Sequence, residues 1–208
     1  MKRIVPIVLL LALLLTACGS AKKAPATTQT PTTTQTPTTT QTPTTTLPTE
    51  TAPDLAALNV LTKVWAAYTE DEKFPASGGD EQNPVDDAPG TVSIDDPEVL
   101  NFSLTLPTDA AALIDGAAAI THMMNLNTFT CGAFHLKNGD DAQTVAQLLR
   151  DGIQTKHWMC GFPDKFIIFT LPGCVVSVYG NEELVNTFRD KLLASGQDAV
   201  LTFEGAIA

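Results

Sequence analysis

Residues 166–179, Phe-Ile-Ile-Phe-Thr-Leu-Pro-Gly-Cys-Val-Val-Ser-Val-Tyr, decide the fold. Residues 166–170 are apolar on both faces of an extended chain, which is typical of a strand that is covered on both sides. Pro172 and Gly173 take the positions that a type II turn favours. Residues 174–179 then return as a second apolar strand. The stretch therefore predicts a β-hairpin in the interior of a sheet.

The flanking segments add two strands and two helices to this hairpin. Upstream, alternation predicts a strand over 128–136, and Asp140 with Gln143 forms a capping box for the helix that follows. Downstream, Asn181 is predicted to cap a second helix, and 199–203 is predicted as a last strand. The order from about residue 128 is thus β-α-β-β-α-β, which predicts an α+β fold with a ferredoxin-like split βαβ core. A different small α+β sandwich is the alternative.

Further elements are predicted upstream of this core, within a domain that runs from 54 to 208. Apolar residues at helical spacing predict an amphipathic helix over 54–69. An extra strand is predicted over 99–106, and an alanine-rich helix over 109–124, with Asp109 as its cap. Residues 70–98 combine ten acidic side chains and one base with prolines and glycines, which predicts a long acidic loop.

The charge balance excludes one class of partner. The chain carries 12 basic and 23 acidic side chains. Five of these charges precede the domain: Lys2, Arg3, Lys22, Lys23 and Glu50. The domain therefore keeps 8 basic and 22 acidic side chains, a net charge near −14. Such a field repels phosphate backbones, so no nucleic-acid partner is expected.

The first 17 residues have the pattern of a secretory signal. Lys2 and Arg3 precede an apolar run over 4–15, whereas a membrane-spanning helix needs about 20 residues. The run Leu-Thr-Ala-Cys that ends at Cys18 resembles the lipobox of bacterial lipoprotein signals. That resemblance implies cleavage before Cys18 and lipid on its sulfur, and hence an anchor at the extracytoplasmic face of the cell membrane. A plain secretory signal with an incidental cysteine is the alternative.

A stalk is predicted over 18–53, between the signal and the domain. The unit Thr-Thr-Thr-Gln-Thr-Pro occurs at 32–37 and again at 38–43. Residues 25–46 contain no charged, aromatic or large apolar side chain, so nothing there can be buried to offset the entropy of ordering. Proline and threonine favour extended conformations, and 25–53 would reach on the order of 90 Å at about 3.1 Å per residue. The stalk is thus a low-complexity spacer that we expect to be disordered.

One motif connects the domain with a known group of proteins. Residues 158–164, Trp-Met-Cys-Gly-Phe-Pro-Asp, occur together with Met-Met-Asn at 123–125 and with the strands over 129–135 and 175–180. In these features the chain resembles an uncharacterised family of bacterial lipoproteins with a domain of unknown function. The likeness covers roughly 55–193. It implies export and a domain boundary, and it assigns no catalytic or binding residue.

Three cysteines remain in the domain after Cys18. Their number is odd and no Cys-x-x-Cys occurs, so a redox site is less expected than a structural disulfide. In a split βαβ unit Cys131 and Cys160 lie at the same end of the sheet, and we predict that these two approach each other and can pair. Cys174 starts the next strand at the opposite end and is predicted to be a buried free thiol.

Metal-binding patterns are present but weak, and we predict neither a metal ligand nor a cofactor. Cys131 with His135, and His157 with Cys160, offer zinc-type ligands. On a strand, however, Cys131 and His135 are about 13 Å apart. The acids of the loop fit no EF-hand spacing, and a solvated loop is the simpler interpretation of them: Asp80, Glu81, Asp86, Asp87, Asp95 and Asp96. Met123 and Met124 are interpreted as core residues rather than a copper pair.

These observations predict a lipid-anchored extracytoplasmic lipoprotein that displays a small acidic domain for binding. Its expected partners are the membrane, through the lipid on Cys18, and a protein of the cell wall or envelope. No catalytic residue is predicted. The alternative is an extracytoplasmic enzyme or thiol-dependent factor that uses Cys160 or Cys174.

Overall fold

The computed structural model describes residues 52–159 and 161–207, in which five helices cover an antiparallel sheet of eight strands. The helices are α1 (Pro53–Ala66), α2 (Pro97–Leu104), α3 (Thr108–Ala111), α4 (Ala142–Thr155) and α5 (Glu182–Ala194). The strands are β1 (Ala76–Gly78), β2 (Val85–Asp86), β3 (Gly90–Val92), β4 (Ile114–His122), β5 (Phe129–Leu136), β6 (Lys165–Leu171), β7 (Cys174–Gly180) and β8 (Val200–Ala206). They lie in the order β2-β1-β4-β5-β7-β6-β8, and β3 also pairs with β4. The fold is therefore of the α+β class.

The predicted signal peptide 1–17, Cys18, nearly all of the predicted stalk 18–53 and Cys160 lie outside the described residues. Within the described residues, no helix is both long enough and apolar enough to span a bilayer.

The hairpin of β6 and β7 forms as predicted. Leu171 pairs with Cys174, and Gly173 between them has a φ of 74°, the left-handed conformation that the turn requires of its second central residue. Ile167 and Phe169 are buried on one face of β6, and Phe166 and Ile168 on the other. The hairpin thus lies inside the sheet, with apolar contacts on both sides.

The predicted element order after residue 128 is also present, with one difference in strand placement. β7 lies between β5 and β6, as in a split βαβ unit. β8 pairs with β6, whereas a ferredoxin-like sheet has its last strand beside the first. The edge of β5 is already taken, because β4 pairs with it from Ile114↔Leu136 to Thr121↔Thr130. β8 therefore adds to the free edge of β6.

Two predictions upstream of this core are wrong, the first at 99–106. The strand expected there is the helix α2. Asp96 caps it by accepting hydrogen bonds from the backbone N–H groups of Glu98 and Val99, and Pro97 opens its first turn. Leu100 and Leu104, one helical turn apart, are both buried. Leu100 and Leu104 therefore belong to one buried helix face and not to a strand.

The alanine-rich helix expected over 109–124 is the second wrong prediction. Its first residues form only the single turn α3, and the alanines lie in β4. Ala117, Ala118 and Ala119 are at most 1% exposed, because the sheet is covered on both faces at this point. Small side chains let helices approach both faces closely, and this packing overrides the helix propensity of alanine.

The sheet separates two apolar cores, one on each face. One contains residues of α1 and α5, such as Leu61 and Phe188, and the other contains residues of α2, α3 and α4, such as Leu100 and Leu149. α1 overlaps the segment 54–69 that was predicted to be a helix, although it ends at Ala66, and it covers β4 and β5.

The acidic segment 70–98 is more ordered than a loop, because it contains β1, β2 and β3. Asp80 organises it. One carboxylate oxygen accepts from the Ser93 backbone N–H at 2.7 Å, and the other from those of Gln82 and Asn83 at 3.0 and 2.9 Å. These hydrogen bonds, with that of Ser93 the strongest cause, lower the pKa of Asp80 below its usual 3.8.

Substitution of Asp80 with alanine is expected to destabilise the domain by about 1–2 kcal/mol at neutral pH, because three backbone donors lose a charged acceptor. A depressed pKa stabilises the fold above the unfolded-state pKa, and this stability is lost as pH falls through the folded-state pKa. The difference between Asp80→Ala and wild type in urea unfolding should therefore be full at pH 7 and shrink below about pH 4. Asp80→Asn, which keeps one acceptor oxygen, should lose less stability than Asp80→Ala. If the stability difference between Asp80→Ala and wild type did not depend on pH, this account would be contradicted.

Candidate functional site

The thiols of the domain are buried where the structure describes them. Cys131 and Cys174 are 0% and 3% exposed, in the core under α1 and α5, and they are not bonded to each other. Burial raises the pKa of Cys131 well above its usual value, and burial together with the Asp115 carboxylate raises that of Cys174 to about 11. The predicted partner of Cys131, Cys160, lies outside the described residues, so their pairing stays a prediction.

A histidine and a carboxylate lie beside Cys174. His135 is opposite Cys174 in the β5–β7 register, and its Nδ1 lies 2.6 Å from Oδ1 of Asp115, at an irregularity of β4. From the sequence, His135 could be considered only as a partner of Cys131, four residues away on the same strand. Asp115 was not identified as its neighbour. A neighbouring carboxylate keeps the Cys174 thiol protonated, which is the opposite of what a nucleophilic cysteine needs.

Alkylation of the native protein tests this description of the thiols. At pH 8 we expect Cys174 to react with iodoacetamide at least about a hundredfold more slowly than an unfolded-chain cysteine, because so little thiolate is present. Mass spectrometry of the labelled peptides measures the rate. Unfolding without a reductant then tests the pairing, since a Cys131–Cys160 disulfide leaves both of these residues unlabelled while Cys174 reacts. Rapid native labelling of Cys174 would contradict the account.

The candidate metal ligands do not converge in the part of the chain that the structure describes. No group of three or more His, Cys, Asp or Glu side chains there could hold a metal ion. Asp96 caps α2 and Asp95 accepts from the Ser93 hydroxyl, so these acids have structural roles. His157 is exposed.

The interpretation of Met123 and Met124 as core residues is wrong. They are 51% and 79% exposed, in the connection between β4 and β5. Leu126 in the same connection is 41% exposed, and Met159 and Phe162, between α4 and β6, are 78% and 71% exposed. We call these five side chains the loop surface. Soluble domains do expose single apolar side chains, but a group of large ones marks an interaction site.

Hydrogen bonds join the two connections that form the loop surface. The Asn127 side-chain amide donates to the carbonyl oxygens of Met159 and Gly161, at 2.8 and 2.9 Å. Hydrogen bonds also join the connection between β4 and β5 to neighbouring residues. Met123 N–H donates to the Pro75 carbonyl at 2.9 Å, and the Thr130 hydroxyl donates to the Leu126 carbonyl, also at 2.9 Å. The connection that follows β4 and the described residues of the connection that follows α4 therefore lie side by side.

The second motif divides into anchoring and exposed side chains. Trp158 packs against Tyr179, with ring centroids 5.1 Å apart, and Pro163 is buried. Between these two anchors, Met159 and Phe162 project into solvent. Trp158 and Pro163 are held by packing, whereas the side chains of Met159 and Phe162 between them do not contribute to the core.

Acidic groups border the loop surface. The Asp164 carboxylate, two residues after Phe162, accepts from the backbone N–H of Glu182, so the exposed Glu182 and Glu183 of α5 lie beside it. On the side of Pro75, Lys73 is ion-paired with Glu70 at 2.8 Å. Three carboxylates, those of Asp164, Glu182 and Glu183, thus lie on the α5 side of the loop surface.

A cleft of about 600 Å³ lies between α2 and α4 and ends at the segment that leads to Met159. Phe102, 78% exposed, lies at the cleft, and Lys156 closes it. The Lys156 ammonium donates to the Phe102 carbonyl and to the Thr105 hydroxyl at 3.0 and 2.8 Å, and lies 5.1 Å from the centre of the Trp158 ring. Burial lowers its pKa. Lys156 thus connects α2 to the anchor of the loop surface.

Comparison of the chain with protein-family models, with curated proteins and with solved structures found no match.

Proposed function

We propose that this protein is a lipid-anchored extracytoplasmic lipoprotein whose small acidic domain binds a protein of the cell wall or envelope through the loop surface. The observation that carries the proposal is the exposure of five large apolar side chains on two hydrogen-bonded connections. Protein–protein interfaces usually have an apolar centre and a polar border, and the loop surface has both.

The anchor follows from the lipobox at 15–18 and the stalk that comes after it. A diacylglycerol group on Cys18 supplies two acyl chains, which hold a protein stably at a membrane where one chain is marginal. The bacterial cell membrane, at its extracytoplasmic face, is the proposed location.

The described part of the chain begins near the end of β4 that lies away from the loop surface. The chain enters at Pro53, whose backbone packs against Gly116 near the start of β4. Met123 follows the last residue of β4, His122. Six strand residues separate Gly116 from His122, which is about 20 Å. The entry point and the loop surface therefore lie at opposite ends of β4.

The alternative, an enzyme or thiol-dependent factor using Cys160 or Cys174, has weaker support. Cys174 is buried and its pKa is raised, so it is a poor nucleophile. We also propose that β5, α4, β6 and β7 form a ferredoxin-like split βαβ unit. This fold does not indicate a particular activity, because proteins with one fold have many functions.

Oxidative footprinting in intact cells tests the proposed function. A short hydroxyl-radical pulse is applied to cells that display the protein and to the purified mature chain, and sulfoxide formation is measured at Met123, Met124 and Met159. We expect at least about threefold slower oxidation of these residues in cells, because an interface core excludes solvent.

Val200 and Leu201 on β8, 61% and 41% exposed, are the internal control and should oxidise at equal rates in both samples. Phe162→Asp should abolish the protection of the methionines. Equal methionine oxidation in cells and in the purified chain would overturn the proposal.

A further inference from the structure

We infer that the segment recognised by the loop surface is a basic amphipathic helix of a protein partner. This inference rests on the proposed function and adds the chemistry of the partner. Its basis is the combination of exposed methionines, a braced backbone and an acidic border.

The first observation is the type of side chain. The chain has four methionines, and the three that follow Met1 all belong to the loop surface. Methionine is unbranched and polarizable, and it adapts its shape to the apolar face presented to it. Phe162 adds a rigid aromatic anchor, the residue type that dominates interface energies.

The second observation is that the backbone below these side chains is fixed. Asn127 connects the two segments, and Trp158 and Pro163 anchor the second one. A partner thus orders flexible side chains but no loop, which lowers the entropic cost of binding. Adaptable side chains on a fixed support suit the ridge of a helix, whose apolar residues recur at i, i+3, i+4 and i+7.

The third observation is charge. Asp164, Glu182 and Glu183 border the loop surface, and the domain carries a net charge near −14. An acidic border attracts lysine and arginine on the polar face of a helix, and it repels an acidic helix. It equally repels anionic lipid headgroups, so the apolar side chains are not explained as a membrane-inserting tip.

Binding of defined peptides by the mature chain carrying C18S, which lacks the lipid, tests the inference. The probe is a labelled leucine–lysine helix of about 18 residues, long enough for several helical turns. A scrambled leucine–lysine peptide without an apolar face and a leucine–glutamate helix are controls. Fluorescence anisotropy should show binding of the leucine–lysine helix at least about tenfold tighter than of either control.

Variants assign that binding to the loop surface. Met124→Asp with Met159→Asp should weaken it by at least about tenfold, because two apolar contacts are replaced by charges. Glu182→Gln with Glu183→Gln should weaken it about threefold and reduce its salt dependence. Leu201→Asp, on the exposed edge strand β8, is the matched control and should leave affinity unchanged.

Equal affinity for the scrambled peptide, or no loss in the methionine double variant, would overturn the inference. So would tighter binding to vesicles of phosphatidylglycerol and phosphatidylethanolamine than to the leucine–lysine helix, since the surface would then be a lipid-binding tip. If the methionines are protected in cells but the basic helix does not bind, the inference fails and the proposed function stands. If they are not protected, the proposed function itself fails.

Discussion

Replacement of Cys18 with serine is expected to transfer the protein from the membrane fraction to the soluble extracytoplasmic fraction. In the proposed anchor, the lipid is on the Cys18 sulfur of the lipobox-like run at 15–18, and a serine hydroxyl cannot form the thioether. Each buried methylene of the acyl chains contributes about 0.8 kcal/mol, so loss of both chains removes essentially all membrane affinity. Metabolic labelling with a radioactive fatty acid, followed by cell fractionation, measures the effect.

Ser20→Ala, two residues after Cys18, is the control and should label and fractionate like wild type. Equal labelling of wild type and Cys18→Ser, or no labelling of either, would show that the chain is not anchored in this way.

Gly116→Ala is expected to destabilise the domain by about 3 kcal/mol, close to the limit for a single added methyl group. A Cβ at this position would lie 2.3 Å from the carbonyl carbon of Pro53 and 2.4 Å from the nitrogen of Asp54. Both atoms are backbone, so no rotamer change relieves the clash, and the start of α1 must move away from β4. The contacts of Ala57, Leu61 and Val64 with the core are then weakened.

Thermal unfolding followed by circular dichroism measures this loss, which should lower Tm by roughly 6–12 °C for a domain of this size. Gly139→Ala is the matched control, because nothing lies within 4 Å of a Cβ built there. It should change stability by less than about 0.5 kcal/mol. A Tm of Gly116→Ala equal to that of the control would show that α1 does not pack on β4 as described.

The part of the fold that could be predicted from sequence is the part in which local and tertiary signals agree. In the hairpin of β6 and β7, apolar strands, Pro172 and Gly173 all favour one structure, and the helices and strands around it follow the same rule. The position of β8 in the sheet could not be predicted in this way, because a pattern of apolar residues identifies a strand but not the strand with which it pairs. That choice depended on β4, which had been predicted as a helix.

The errors over 97–122 have a physical cause in each case. Apolar residues at every second position from Leu100 to Leu106 favoured a strand, although Asp96 and Pro97 form a helix start that outweighs alternation over so few residues. The alanines at 117–119 favoured a helix, because helix propensity is a local property. Their burial between two helical layers is set by tertiary packing, which the sequence does not display.

The loop surface could be found in the sequence only as two motifs. Residues 123–125 and 158–164 were noted for their resemblance to a lipoprotein family, but their proximity depends on Asn127, whose role is invisible without the fold. Apolar residues outside any helical or strand period, beside Asn and Gly, were the available signal. Of these residues, Met123 and Met124 were interpreted as core because they end the alanine-rich segment that was predicted to be an apolar helix.

Site-specific photo-crosslinking in intact cells tests the central claim, that the loop surface is the binding face, most directly. A photoreactive phenylalanine analogue is placed at Met124 or Met159, and at Leu201 on β8 as the control. We predict one discrete adduct from positions 124 and 159, none from 201, and loss of the adduct when Phe162→Asp is added. No adduct from either loop position, or the same adduct from position 201, would contradict the account.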